Sequence, residues 1–242
     1  MPKPREDHLA PSFGTWLREL PNLPIIWSSP VRQVRLPGER KPEPAQGRGP
    51  VLVLPGILSN DAATSLMRRT LNAAGYQAFP STLGVVTGIT PETFTRAEAR
   101  LDEVHAQAGD KVILVGISLG GLYARVLAQR HPEKVALVMT LGTPFSGDRR
   151  ANNAWRLYEA INDHKVDNPP LDDDPRKKPP VRTIAIWSPQ DGIVAPACSR
   201  GEEGECDLAI EVPERHFEFS ASRRSIERIL AILEQEEAAR AG

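Results

Sequence analysis

The stretch Lys111–Gly121, Lys-Val-Ile-Leu-Val-Gly-Ile-Ser-Leu-Gly-Gly, constrains this chain more than any other. Val112 to Val115 form an apolar run long enough for a buried strand and too short for a helix. Gly116-Ile117-Ser118-Leu119-Gly120 follows without a gap and fits Gly-x-Ser-x-Gly. Leu122, Tyr123, Val126 and Leu127 then recur at helical spacing, and His131-Pro132 closes the run. A strand, a sharp turn with serine at its apex and a helix are therefore expected in succession. Such a turn exposes the serine hydroxyl, and small residues beside it let strand and helix approach. Three fixed positions alone would match by accident in about one chain in ten of this size. The flanks make the pattern specific.

The rest of the chain repeats the alternation. Val51-Leu-Val-Leu54 reads as a buried strand broken by Pro55-Gly56, and Ser59, Asn60 or Asp61 can cap a helix running to about Ala74. Tyr76–Pro80 reads as a second short strand, and Gly84–Thr90 as a loop. Thr90-Pro91-Glu92 then starts a helix that runs to about Gly109, with a cap residue followed by proline at the first helical position. Lys134–Leu141 is a further strand, ending in Gly142-Thr-Pro-Phe-Ser-Gly147. An insertion over about 148–180 follows. Its first part is helical, from Asn152 to about His164, and its second part is a polar loop bracketed by prolines. Val181–Trp187 and Leu208–Val212 are strands, and Ser220 to about Arg240 is the terminal helix. This order predicts an α/β fold, a mostly parallel sheet with helices on both faces, and ligands at the carboxyl ends of the strands.

Residues 1–49 stand apart from that pattern. Phe13, Trp16, Leu17 and Leu20 share one helical face, stopped by Pro21 and Pro24, and Leu36–Gly49 is a Pro-, Gly- and charge-rich connection. Two regions are expected: 1–49, an N-terminal helix and connection, and 50–242, the α/β domain. The whole chain has 242 residues, 40% of them hydrophobic, enough for one full core. Its formal net charge of −1 gives no basic excess for nucleic acid or an anionic membrane surface. No apolar run approaches the ~18 residues of a membrane span. The charged start Met-Pro-Lys-Pro-Arg-Glu-Asp-His has no apolar run after it, so a cytoplasmic protein without a signal peptide is expected. Cys198 and Cys206 would be free thiols in a reducing compartment and a disulfide in a secreted form.

The chain resembles the α/β-hydrolases, and within them the small bacterial serine esterases and lipases. The residues that carry the resemblance are Leu54-Pro-Gly-Ile-Leu-Ser59, the Gly116–Gly121 turn, Leu141-Gly-Thr-Pro-Phe145, Trp187-Ser-Pro-Gln-Asp-Gly-Ile-Val194 and His216. They span roughly residues 50–236. The order Ser, acid, His in that superfamily leaves only groups after Ser118. His8 and His105 precede it, His131 lies about 19 Å along the following helix, and His164 sits in the insertion. The resemblance thus implies Ser118 as nucleophile, His216 as base and Asp191 as acid. Asp148 and the run Asp172, Asp173 and Asp174 are the fallbacks for the acid. Relatives often carry a small residue before this histidine, where Arg215 stands here.

The resemblance also implies an oxyanion hole from the backbone N–H groups of Ile57 and Leu119. Gly56, Leu58, Thr143, Phe145 and Ile193 are the expected substrate-binding residues. Gly142–Phe145 either lines the pocket or is a turn with Phe145 beneath it. Trp155, Leu157, Tyr158 and Ile161 of the insertion either cover the site or only fasten their helix. The activity implied is hydrolysis of a small-molecule ester or lipid through an acyl-serine, with no metal or organic cofactor and no stable membrane insertion. The same machinery could serve a thioester, an amide or acyl transfer, and a binding protein on the same fold is the non-enzymatic alternative. Serine at position 118 excludes the relatives with aspartate there, and the chain has no His-Glu-x-x-His pair for zinc.

Overall fold

The computed structural model describes residues 9–22 and 48–241. Six strands form one sheet: β1 (Pro50–Leu54), β2 (Gln77–Pro80), β3 (Val112–Ile117), β4 (Val135–Leu141), β5 (Arg182–Trp187) and β6 (Leu208–Glu211). Their order is β2-β1-β3-β4-β5-β6, and every neighbouring pair is parallel. The helices are α1 (Phe13–Leu17), α2 (Ser65–Ala73), α3 (Pro91–Ala108), α4 (Leu119–Arg130), α5 (Trp155–Ile161), α6 (Pro196–Arg200), α7 (Glu218–Ala221) and α8 (Arg223–Ala241). A short 3-10 turn, Leu20–Asn22, follows α1.

Strand alternation divides the core into two layers. Val51, Val53, Ile113, Val115, Leu137 and Met139 face α2 and α8, where Met67, Leu71, Ile226, Ile229 and Leu233 meet them. Leu52, Leu54, Val112, Leu114 and Val138 face α3 and α4, where Phe94, Leu101, Tyr123 and Leu127 close the layer. Each such side chain is stabilised by about 1.5–3 kcal/mol on burial. Because both faces are covered, the central strands β1, β3 and β4 are nearly continuous apolar runs, with Thr140 of β4 the polar exception, instead of alternating with polar residues.

The element boundaries differ from the sequence expectations in physically specific ways. Thr90 caps α3 as expected, accepting from Thr93 N. Asp61 caps nothing; its carboxylate accepts from Ser81 N, Ser81 Oγ and Thr82 N, so α2 starts only at Ser65. The insertion helix is shorter than expected, and α6 lies where no helix was expected. The terminal helix is broken at Ser222, whose extended backbone separates α7 from α8. The expected Leu36–Gly49 connection lies mostly outside the described residues. No helix among the described residues is long and apolar enough to cross a membrane. Cys198 and Cys206 are both free thiols.

Since all six strands run the same way, the turns after β1, β3, β4, β5 and β6 share one rim of the sheet. Ile57, Ser118, Gly142, Asp191 and His216 lie on those turns.

Candidate active site

Ser118 sits between the end of β3 and the first residue of α4 with φ +51° and ψ −119°. A non-glycine residue at positive φ is strained, so its surroundings must hold it there. Here the neighbours do so by having no side chains. A Cβ on Gly116 would lie 2.4 Å from Gly120 O, and one on Gly120 would lie 2.2 Å from Leu54 O. One on Gly121 would lie 1.9 Å from Thr143 Oγ1. Ser118 N donates to Leu141 O at 2.8 Å, which pins the turn to the end of β4.

The next residue, Gly142, connects this turn to Asp191 and His216. Its φ is +56°, and a Cβ there would lie 2.9 Å from Asp191 Oδ2 and 3.1 Å from His216 Nδ1. Asp191 Oδ2 and His216 Nδ1 are 2.7 Å apart. Asp191 is buried, and its Oδ1 accepts from Ile193 N and Val194 N, both at 2.8 Å. The fallback acids lie elsewhere: Asp173 pairs with Arg130, Asp174 with Arg176, and Asp148 Oδ1 accepts from Arg150 N. His216 is 4% exposed, between the edges of Phe217 and Phe219. Burial is the largest single influence on its imidazole and disfavours the charged form. The nearby carboxylates of Asp191 and Glu19 together outweigh it, so the His216 pKa is raised. Among the described residues Ser118 Oγ makes no hydrogen bond, so the Asp191–His216 pair is formed and a Ser118–His216 bond is not.

Gly56 packs directly on the serine, where a Cβ would lie 3.3 Å from Ser118 Cβ. The Ile57 N–H beside it has no acceptor among the described residues. Leu119 opens α4, so its N–H lies in the first turn, where a helix offers no partner. Both donors therefore lie beside Ser118 and are free to receive an oxygen.

A cavity of about 150 Å³ opens at Ser118. Ile57, Leu119, Leu122, Val126 and Phe145 line it from the body, and Trp155, Tyr158, Val166 and Leu171 from the insertion. Phe145 is the one expected substrate-binding residue on this wall. Thr143 is fully buried instead, because the Gly142 turn directs it against Gly121 beneath α4. Ile193 packs with Ala151, Val194, Ala195 and Cys198 away from the cavity. Leu58 is occupied in a bond from its N to Val86 O at 2.7 Å, and Gly56 supplies only backbone. Within the insertion, Trp155 and Tyr158 cover the cavity, whereas Leu157 and Ile161 are 45% and 39% exposed.

Sequence reasoning missed two residues. Arg125 in α4 is fully buried and donates to Pro175 O at 2.5 Å, Arg176 O at 3.2 Å and Glu205 O at 2.7 Å. Its guanidinium lies 4.0 Å from the Phe145 ring centre, and burial pulls its pKa down to about 10. It therefore ties the insertion loop to the helix that carries the cavity wall. Glu19 is 1% exposed, although it comes from the separate N-terminal segment. A basic residue in an apolar helix is a weak sequence signal for the first; nothing local marks the second.

Comparisons with known proteins agree with this architecture. The family model described as alpha/beta hydrolase fold matches residues 93–168. Over 67 residues, 28% of this chain, the sequence is 40% identical to the pimeloyl-[acyl-carrier protein] methyl ester esterase of Aromatoleum aromaticum. That match spans only 27% of the length of the curated relative. Among solved structures, a soluble variant of monoglyceride lipase from Saccharomyces cerevisiae superposes with a TM-score of 0.56 at 15% identity, covering 78% of this chain and 85% of that one. The monoacylglycerol lipase of Paleococcus ferrophilus gives 0.55 at 16% identity, covering 77% and 93%. At these identities the shared property is the shape. The parallel sheet, the order of turns on its rim and these matches lead to one conclusion: the chain has the alpha/beta hydrolase fold.

Proposed function

We propose that this protein is a serine carboxylic-ester hydrolase acting on small esters with an apolar acyl group. The observation that carries the reading is the convergence on one rim of a strained Ser118, a buried Asp191–His216 pair and an apolar cavity. Serine hydroxyl is a weak nucleophile at neutral pH and needs a base held by a third group. Ser118 Oγ attacks the ester carbonyl while His216 Nε2 takes its proton, and Asp191 holds Nδ1–H and stabilises the imidazolium. The developing oxyanion accepts from Ile57 N and Leu119 N, each such donor lowering the barrier by about 3 kcal/mol. His216 returns the proton to the departing alcohol, leaving an acyl-serine. Water then gives a proton to His216 and attacks the acyl carbon, and His216 passes that proton to the departing Ser118 Oγ as the acid is released, which restores both groups. The names of the relatives, a methyl ester esterase and two lipases, favour ester over amide.

The test is hydrolysis of p-nitrophenyl butyrate together with labelling by a fluorophosphonate. Wild-type protein turns over the ester and takes one label, and Ser118→Ala does neither. Turnover that survives the substitution would sink the assignment, and absence of a label on wild type would favour a binding protein.

A further inference from the structure

Glu19 is a buried carboxylate with no cation paired to it among the described residues. Burying such a charge is costly unless hydrogen bonds replace the lost water. Here the replacements are backbone N–H groups of two different loops. Gly192 N donates to Oε1 at 2.9 Å, His216 N donates to Oε1 at 2.9 Å, and Phe217 N donates to Oε2 at 3.3 Å. Gly192 directly follows Asp191, and the second donor is the backbone of His216 itself.

Several contacts deliver the carboxylate to that point. Ser12 caps α1 through Thr15 N. Trp16 packs on the Ile193, Val194 and Ala195 cluster together with Phe217. Asn153 Nδ2 bridges Pro11 O at 3.0 Å and Gly192 O at 2.8 Å. Arg215, unusual before the histidine, donates from Nη1 to Arg18 O at 3.1 Å. Gly192 leaves the room required, since a Cβ there would lie 2.6 Å from Thr15 O and 2.7 Å from Glu19 Cγ. Beyond the bond from Val212 N to Trp187 O, the hydrogen bonds that link the loops after β5 and β6 are the Asp191–His216 pair and the Glu19 bridge.

We propose that Glu19 is a positioning residue of this site: it ties the loop carrying Asp191 to the loop carrying His216 and sets a second negative charge beside the imidazole. The proposal rests on the reading of Asp191 and His216 as acid and base. The charged groups around His216 are Asp191 from the loop after β5 and Glu19 from the N-terminal segment. Its own loop adds Glu214 and Arg215, α7 adds Glu218, and α8 adds Arg228, which pairs with Glu214. Glu19 is the one among these that binds the His216 backbone.

The experiment is an NMR titration of the His216 imidazole nitrogens in wild type, Glu19→Gln and Glu19→Asp, with kcat and KM for p-nitrophenyl butyrate beside it. Glutamine keeps the shape and removes the charge, so the imidazole inflection moves down by about one pH unit. Aspartate keeps the charge but is too short for both loops, so its inflection stays nearer to wild type while kcat falls about tenfold at unchanged KM. A Glu19→Gln titration that superposes on wild type overturns the proposal, as does wild-type kcat in folded Glu19→Asp. If glutamine prevents folding, the aspartate variant decides alone, and failure of both to fold leaves Glu19 a purely structural residue. The titration needs no turnover. An inactive wild type with a shifted His216 in Glu19→Gln would therefore count against the ester-hydrolase reading alone, with the bridge and the charge that Glu19 sets beside the imidazole still standing.

Discussion

Two segments outside the sheet meet the Ser118 rim from different sides, and they are attached by different means. The N-terminal segment around α1 is held by a buried carboxylate, backbone N–H groups and one tryptophan. It leaves its own apolar face outside, with Phe13 72% and Leu17 42% exposed. The insertion around α5 presents Trp155 and Tyr158 to the cavity. It is fastened by groups reaching across from the body and back: Arg125 to Pro175 O, Gln129 to Asp174 O, and Asn162 to Thr87 O. The first segment touches the polar groups and the second touches the apolar space. Directional bonds fix angles and charge, whereas apolar walls fix only volume. Changes on the first side should therefore alter kcat, and changes on the second should alter KM and substrate preference.

The largest expected effect breaks the reaction itself. Ser118→Ala lowers kcat by about 10⁴- to 10⁶-fold in ester hydrolysis, with the fold intact by circular dichroism. Asp191→Asn tests the polar side alone. Its remaining oxygen can still accept from Ile193 N and Val194 N, but it no longer fixes the imidazole tautomer. We expect a loss of about 10⁴-fold in kcat with KM nearly unchanged, read from initial rates. An equal rise in KM would erase the distinction between the two sides.

On the other side, Arg125→Met leaves several loop carbonyls without their donor. It lowers stability by about 3 kcal/mol in urea unfolding, with a smaller effect on kcat for any protein that remains folded. Trp155→Ala sharpens the comparison further, since it enlarges the cavity without touching His216. It should raise KM about tenfold for butyrate and longer acyl esters, and leave the acetate ester within about threefold. The smallest effect is in the pH profile. With neutral His216 as the proposed base and its pKa raised, kcat/KM is expected to climb with pH through an inflection above the ordinary value of about 6.5. That inflection should stay in place in Trp155→Ala and move in Asp191→Asn.

The parts of this site that were legible in the sequence are those whose causes are local. The strand Val112–Ile117, the glycines around Ser118 and the cap at Thr90 each follow from residues within one turn of one another. Asp191 and His216 follow the serine in the order that the resemblance implies, and the parallel sheet brings them to one rim. Thr143 was expected at the substrate and lies under α4, because its direction depends on the positive φ of Gly142, which the sequence does not display. Ile193 was expected there too, and it follows the turn that Asp191 Oδ1 imposes on its backbone.

The N-terminal segment shows the same limit more clearly. Its 3.6-residue pattern marks Phe13, Trp16, Leu17 and Leu20 as a face, yet only Trp16 packs inward and the buried group is Glu19. No periodicity predicts that, since the partners of Glu19 lie about 170 to 200 residues away in sequence. By itself, the sequence determined the alternation of strand and helix, the sharp turn at Ser118 and the order of Ser118, Asp191 and His216 along the chain, because these depend on propensity, spacing and steric size. Tertiary structure alone decided which walls enclose the cavity and which carboxylate bridges the Asp191 and His216 loops. Those outcomes depend on where a parallel sheet brings the ends of distant strands together, and hydrogen bonds form only between groups that meet there.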